Sequence, residues 1–115
     1  MVIGQFCDTF PPNIDGVGRV TQSYCETLVD MGHEAYYVAP NPVMEFPEYR
    51  FPVVLSASVH VPGEMFRMGI PALDKKFQKQ LGEIPFDIVH AHSPFLAGSE
   101  AAKIAKKRDI PLVST

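Results

Sequence analysis

The sequence is poor in cysteine, has no excess of positive charge and contains no long apolar run. Each shortage closes a class of protein. Two cysteines, Cys7 and Cys25, cannot build the disulfide framework of a small secreted domain, so they read as free thiols in a core. Cys7 has Asp8 beside it and no cation that would activate it as a nucleophile. A formal net charge of -3 offers no basic field to nucleic-acid phosphates, so nucleic acid is not an expected partner. With no run of bilayer-spanning length and no basic leader before Val2-Ile3-Gly4-Gln5-Phe6, the chain reads as soluble and cytoplasmic. Internal repeats and low-complexity tracts are absent as well.

What is present is the material of one globular domain. The 115 residues fall within the range of a single core, and 46% hydrophobic with 20% charged residues is far from the composition of a disordered chain.

Val2 to Cys7 is a short apolar run that ends in the polar, proline-rich Asp8 to Asn13, which is the pattern of a buried strand and a turn. From Val17 the positions Val17, Val20, Tyr24, Leu28 and Met31 recur at helical spacing, with Asn13 or Asp15 as cap and Gly32 closing the far end. Ala35 to Ala39 reads as a second strand stopped by Pro40 and Pro42, and Val53 to Ser56 as a third. The remainder between Pro40 and Pro71 reads as loop. Pro71 then opens a short helix with Leu73, Phe77 and Leu81 on its apolar edge and Lys75, Lys76 and Lys79 opposite. With Met65, Phe66 and Met68 just before it, that segment is suited to lie on an anionic bilayer, so peripheral contact with the inner membrane face is one expected partnership. Asp87 to His92 is a fourth strand, and Ser93-Pro94 opens a helix to Arg108 with Ala97, Ala101, Ile104 and Ala105 inward. Its last turn gathers Lys106, Lys107 and Arg108 at the negative end of the macrodipole, and Ile110 to Ser114 begins a fifth strand. Such alternation predicts an α/β fold, a doubly wound parallel sheet with helices on both faces in a Rossmann-like three-layer sandwich.

In these sheets ligands bind beyond the carboxyl ends of the strands, where strand order reverses. If the first strand lies beside the fourth, the loop Asp8 to Gly18 and the loop His90 to Phe95 meet there. Gly16-Val17-Gly18 and Ser93 stand at helix starts, so an anion or polyol site is expected between them. The other reading is that the glycines merely begin a helix, because Thr21 takes the third position of a dinucleotide fingerprint. His90 and His92 point to one face. They could ligate a metal, with Asp8 or Asp15 the distant third ligand, bond a hydroxyl, or satisfy carbonyls. No metal is expected, and His90 is read as structural. Glu100 reads as a solvated or Lys103-paired acid.

The runs Ile3 to Pro12, Asp15-Gly16-Val17, Gly32-His33-Glu34, Phe86 to Pro94 and Pro111 to Thr115 together resemble the N-terminal domain of family 4 retaining glycosyltransferases, which have the GT-B architecture. The Gly-Val order and the lysine-bearing helix are similar to lipid glucosyltransferases acting on diacylglycerol. The resemblance implies one domain over 1–115 that receives the acceptor. It implies a donor or acceptor role for Gly16, Val17, Gly18, His92 and Ser93, and no cofactor. It also implies that the histidine after the fifth strand and the nucleotide-sugar-binding C-terminal domain lie outside this sequence. The half-enzyme is expected to be inactive alone, and to self-associate through cleft residues Phe10, Pro11, Pro12, Phe95 and Leu96. Two alternatives stand beside this one: a free-standing Rossmann- or flavodoxin-like module for a nucleotide or phosphate, and a domain that only folds and self-associates.

Overall fold

In order along the chain, the elements are β1 (Val2–Phe6), α1 (Gly16–Asp30), β2 (Glu34–Pro40), β3 (Val53–Ser56), β4 (Ser58–His60), β5 (Arg67–Gly69), α2 (Lys75–Glu83), β6 (Ile88–Ala91), α3 (Leu96–Arg108) and β7 (Leu112–Ser114). The computed structural model describes residues 1–8, 16–41, 48–60, 67–69, 74–92 and 96–114. Five strands form one sheet in the order β3-β2-β1-β6-β7, every neighbouring pair parallel. The expected doubly wound α/β architecture is therefore present.

Alternation along the strands divides the interior into two cores. One face contributes Phe6, Val38, Val54, Val89 and Ala91 and packs against Phe77 and Leu81 of α2 and Ala97, Ala101, Ile104 and Ala105 of α3. The small residues of α3 let its backbone come close to the strands. The other face places Cys7, Ala35, Tyr37 and Ala39 against Cys25 of α1 and Phe51. Both cysteines are buried, and neither is in a disulfide.

The boundaries have local causes. Asp74, extended at the start of α2, accepts the Phe77 amide at 3.0 Å and also the Ala57 amide at 2.8 Å. These amide bonds hold its carboxyl below the usual carboxylate range. The helix thus begins at Lys75 and not at Pro71, which with Leu73 lies outside the described residues. Gly32, at φ 90°, closes α1 while its amide and that of His33 reach the carbonyls of Val29 and Leu28. Arg108 ends α3 and also reaches α2. Its guanidinium donates to the carbonyls of Ile84 and Leu81 at 2.6 and 2.7 Å and lies 5.7 Å from the centre of the Phe86 ring.

Three expectations are corrected here. The segment between Pro40 and Pro71 is not all loop, because β4 and β5 pair antiparallel, Val59 opposite Met68. Strands of three residues between prolines carry too little alternation to be read from sequence. Pro40 ends β2 instead of stopping it earlier. Val38 turns its carbonyl to the Cys7 amide, so Pro40 faces the same side, where β1 has ended and no ladder bond is lost. Finally, α1 does not bury the stripe read for it. Gly18, Thr21 and Cys25 are buried, Leu28 and Val29 are half-buried, and Val20, Tyr24 and Met31 are exposed. The sheet selects the small and polar face of this helix because Tyr37, wholly buried beneath it, extends its hydroxyl to the Gly18 carbonyl at 3.4 Å.

Gly4 lies in the central strand where a Cβ would come within 2.7 Å of the Phe6 ring and 2.8 Å of the Phe86 ring. Those rings pack edge to face at 5.9 Å, so neither can move without opening the core. Gly4→Ala should destabilise the protein by about 1–3 kcal/mol, the usual scale of an overpacked core, read as a lower denaturant midpoint at unchanged slope.

Candidate functional site at the carboxyl rim of β1 and β6

The strand order reverses between β1 and β6, since β1 leads to β2 on one side and takes β6 on the other. Register there runs Ile3 to Ile88, Gly4 to Val89, Gln5 to His90 and Phe6 to Ala91, and the His92 amide closes the ladder on the Phe6 carbonyl at 2.9 Å. The base of the pair is fixed too. The Val2 amide donates to the Asp87 carboxylate and the Asp87 amide to the Val2 carbonyl, both at 2.7 Å. The two strand ends from which the glycine and histidine loops depart are thus neighbours.

The two histidines do share a face, with ring centres 4.0 Å apart. Tyr24 of α1 lies 5.1 Å from each ring, edge-on to His90 and tilted to His92. On the other side the His92 Nε2 bonds to the side-chain oxygen of Gln5, which is almost wholly buried. Burial pushes the His90 pKa down. Burial, and then the charge of His90, push His92 down to about 4. Both imidazoles are therefore neutral near neutral pH. They can exchange hydrogen bonds with a hydroxyl but supply no cation to a diphosphate.

Gly16 and Val17 form the first residues of α1, and Gly18 is buried with its carbonyl committed to Tyr37. Ser93, the proposed cap Asn13 or Asp15, and the cleft residues Phe10, Pro11, Pro12 and Phe95 lie outside the described residues, as do Met65 and Phe66. Lys75, Lys76 and Lys79 are all exposed along α2, away from buried Phe77 and Leu81.

Two residues acquire roles that sequence reasoning missed. Asp8, weighed there only as a distant metal ligand, accepts the Ala97 amide at 2.9 Å, so the end of β1 caps the start of α3 with the protein's own carboxylate. One amide offered to an external anion is thus already occupied. The signal was available in principle, because a carboxylate just past one strand can reach the helix after its neighbour, but only the strand order makes the distance short. Glu100 is neither solvated nor lysine-paired. It is buried and accepts from Gln78 Nε2 at 3.1 Å, tying α3 to α2. Among the described residues no three His, Cys, Asp or Glu side chains converge as a metal site, and no helix is long and apolar enough to cross a membrane. Burial first, then the charges of Glu26 and Cys7, push the Cys25 thiol up, in keeping with an unreactive core position.

The pH dependence of stability follows from the neutral imidazoles. Their folded pKa values lie below the ordinary 6.5, so the unfolded chain binds protons that the folded one refuses. Their contribution is fully present above pH 6.5 and drains away as pH falls toward 4. Denaturant midpoints measured across that window should fall with acidity, and His92→Asn should flatten the slope.

Comparison with known proteins agrees with this architecture. The model of Glycosyltransferase Family 4 matches residues 14–115. The alpha-monoglucosyldiacylglycerol synthase of Acholeplasma laidlawii is 28% identical over 116 residues, covering 100% of this chain and 29% of that protein. The GDP-mannose-dependent alpha-mannosyltransferase of Corynebacterium glutamicum is 30% identical over 120 residues, 99% of this chain and 28% of that protein. The phosphatidyl-myo-inositol mannosyltransferase of Mycolicibacterium smegmatis is 36% identical over 104 residues, 82% of this chain and 25% of that protein. The chain thus spans between 25% and 29% of the length of these relatives. With a family match over nearly its whole length and a sheet whose order reverses at the rim the sequence singled out, the chain belongs to glycosyltransferase family 4.

Proposed function

We propose that this chain is the acceptor-side domain of a retaining transferase that moves a sugar from a nucleotide sugar to a lipid acceptor. The observation that carries the reading is the neutral, hydroxyl-matched rim of β1 and β6 in a family 4 chain. Two of the relatives named above have lipids in their names, a diacylglycerol and a phosphatidylinositol, which supports an acceptor of that class. In this reading His92 and Ser93 meet acceptor hydroxyls, and the backbone at Gly16, Val17 and Gly18 borders the donor diphosphate. A second, nucleotide-sugar-binding domain supplies the grip on the leaving diphosphate, the electrostatic part that usually carries most of the rate.

The exposed lysines of α2 give the domain its approach to the acceptor. They concentrate positive charge on a helix whose apolar edge is spent on the core, so membrane contact is electrostatic and peripheral, at the cytoplasmic leaflet.

Two measurements test this reading. The pure 115-residue protein should give no repeated turnover of radiolabelled UDP-glucose or GDP-mannose onto diacylglycerol or phosphatidylinositol, and should gain it when joined to a nucleotide-sugar-binding domain of the family. Sustained turnover by the chain alone would falsify the division of labour. In sedimentation with phosphatidylglycerol vesicles, replacing Lys75, Lys76 and Lys79 by Glu should weaken partitioning on the order of 100-fold or more, from roughly 1 kcal/mol lost per lysine. Equal binding to phosphatidylcholine vesicles, or no effect of the triple change, speaks against the membrane contact.

A further inference from the structure

Parallel strands covered by helices on both faces are normally apolar throughout, and β1 is not. Between Gly4 and Phe6 it carries Gln5, 1% exposed, in a strand paired on both sides, with Tyr37 of β2 and His90 of β6 in register with it. Phe6 belongs to the core under α2 and α3, so Gln5 is turned to the other face, the one that His90 and His92 share. An amide buried there costs stability unless it is bonded. Its bond is to the ring of His92.

That bond assigns the proton of the ring. The side-chain oxygen of Gln5 can only accept, so Nε2 of His92 donates. A neutral imidazole has a single N–H, which leaves Nδ1 with a lone pair. Among the described residues no buried side-chain nitrogen or oxygen lacks a partner, and the hydrogen bond of this ring is the one to Gln5, so Nδ1 lies accessible at the rim. Ring contacts with Tyr24 and His90 restrain the plane of the imidazole, and the bond to Gln5 decides which of its nitrogens carries the proton.

We propose that Gln5 is a positioning residue of the rim: it holds His92 as the Nε2–H tautomer, so that Nδ1 accepts the proton of a free hydroxyl on the acceptor and has nothing to offer an ester or ether oxygen. The hydroxyl rests on the transferase reading above, and the tautomer does not. On a diacylglycerol the esterified oxygens carry no proton, and a lone pair selects the hydroxyl that is left. With its pKa held down to about 4, the ring binds that hydroxyl without removing its proton.

Long-range proton–nitrogen NMR spectra of the histidine-labelled chain near neutral pH test it, with His92 assigned by the signal lost in His92→Asn. The expected ring has Nε2 protonated and Nδ1 bare. In Gln5→Met, similar in size and checked for folding by circular dichroism, Nε2 loses its buried acceptor, and the proton should move to Nδ1, where water can accept it, making Nδ1–H the major form. Gln5→Glu should return the proton to Nε2 and raise the His92 pKa from about 4 toward or past the ordinary 6.5, a change that altered packing alone does not give. Soluble dihexanoylglycerol should shift the Nδ1 resonance of the unaltered chain, and its methyl ether should need at least about tenfold more to do so. An Nδ1–H ring in the unaltered chain, which a Gln5 amide turned end for end would give, overturns the proposal whatever becomes of the transferase reading, as does a tautomer unchanged in Gln5→Met. Equal response to the alcohol and its ether overturns the direction of the hydroxyl bond, and the proposal with it. A fixed Nε2–H ring that answers to neither probe takes the acceptor away from His92; it overturns the proposal through the transferase reading, and the intact tautomer shows that the failure lies there.

Discussion

The parallel pairing of β1 with β6 is the constraint on which the rest depends. It joins residues some eighty-five positions apart, as the Val2 bond to Asp87 measures, and it brings each half's helix starts to one edge. Three polar contacts of the rim are consequences: Gln5 reaches His92, Asp8 reaches Ala97, and the His92 amide finds the Phe6 carbonyl. A slip of one residue would turn Gln5 and His90 to the α2 and α3 side and place Phe6 and Val89 under α1, so the register is fixed by the cores on both faces.

How legible this was in the sequence varied with the length over which a pattern could repeat. Five strands and three helices could be read because each is either a continuous apolar run or a repeat of several turns. The position of β6 beside β1 was a condition of the site reading and not a result of it, and the sheet order meets that condition. The hairpin of β4 and β5 could not be read, being too short to hold a period. For α1 the spacing was correct and the burial was not. Two helical stripes coexist there, Val20-Tyr24-Met31 and Gly18-Thr21-Cys25, and hydrophobicity alone prefers the first. The sheet takes the second, since small residues permit the approach that Tyr37 requires.

At the candidate site the sequence placed His90 and His92 on one face and missed how they are held. Two histidines two apart on a strand must share a face, and that much is geometry. That their partners are Gln5 and Tyr24 depends on tertiary neighbours, as does the change of Glu100 from surface acid to interior acceptor for Gln78. Capping by Asp8 belongs to the same class. Its helix starts nearly ninety residues later, beyond the reach of any local motif.

That cap has a consequence for what can approach. The Asp8 carboxylate is built into the edge from within, beside imidazoles that carry no charge, and both repulsion and the lack of a counter-charge disfavour a second carboxylate against the start of α3. A neutral, hydroxyl-rich molecule meets no such opposition.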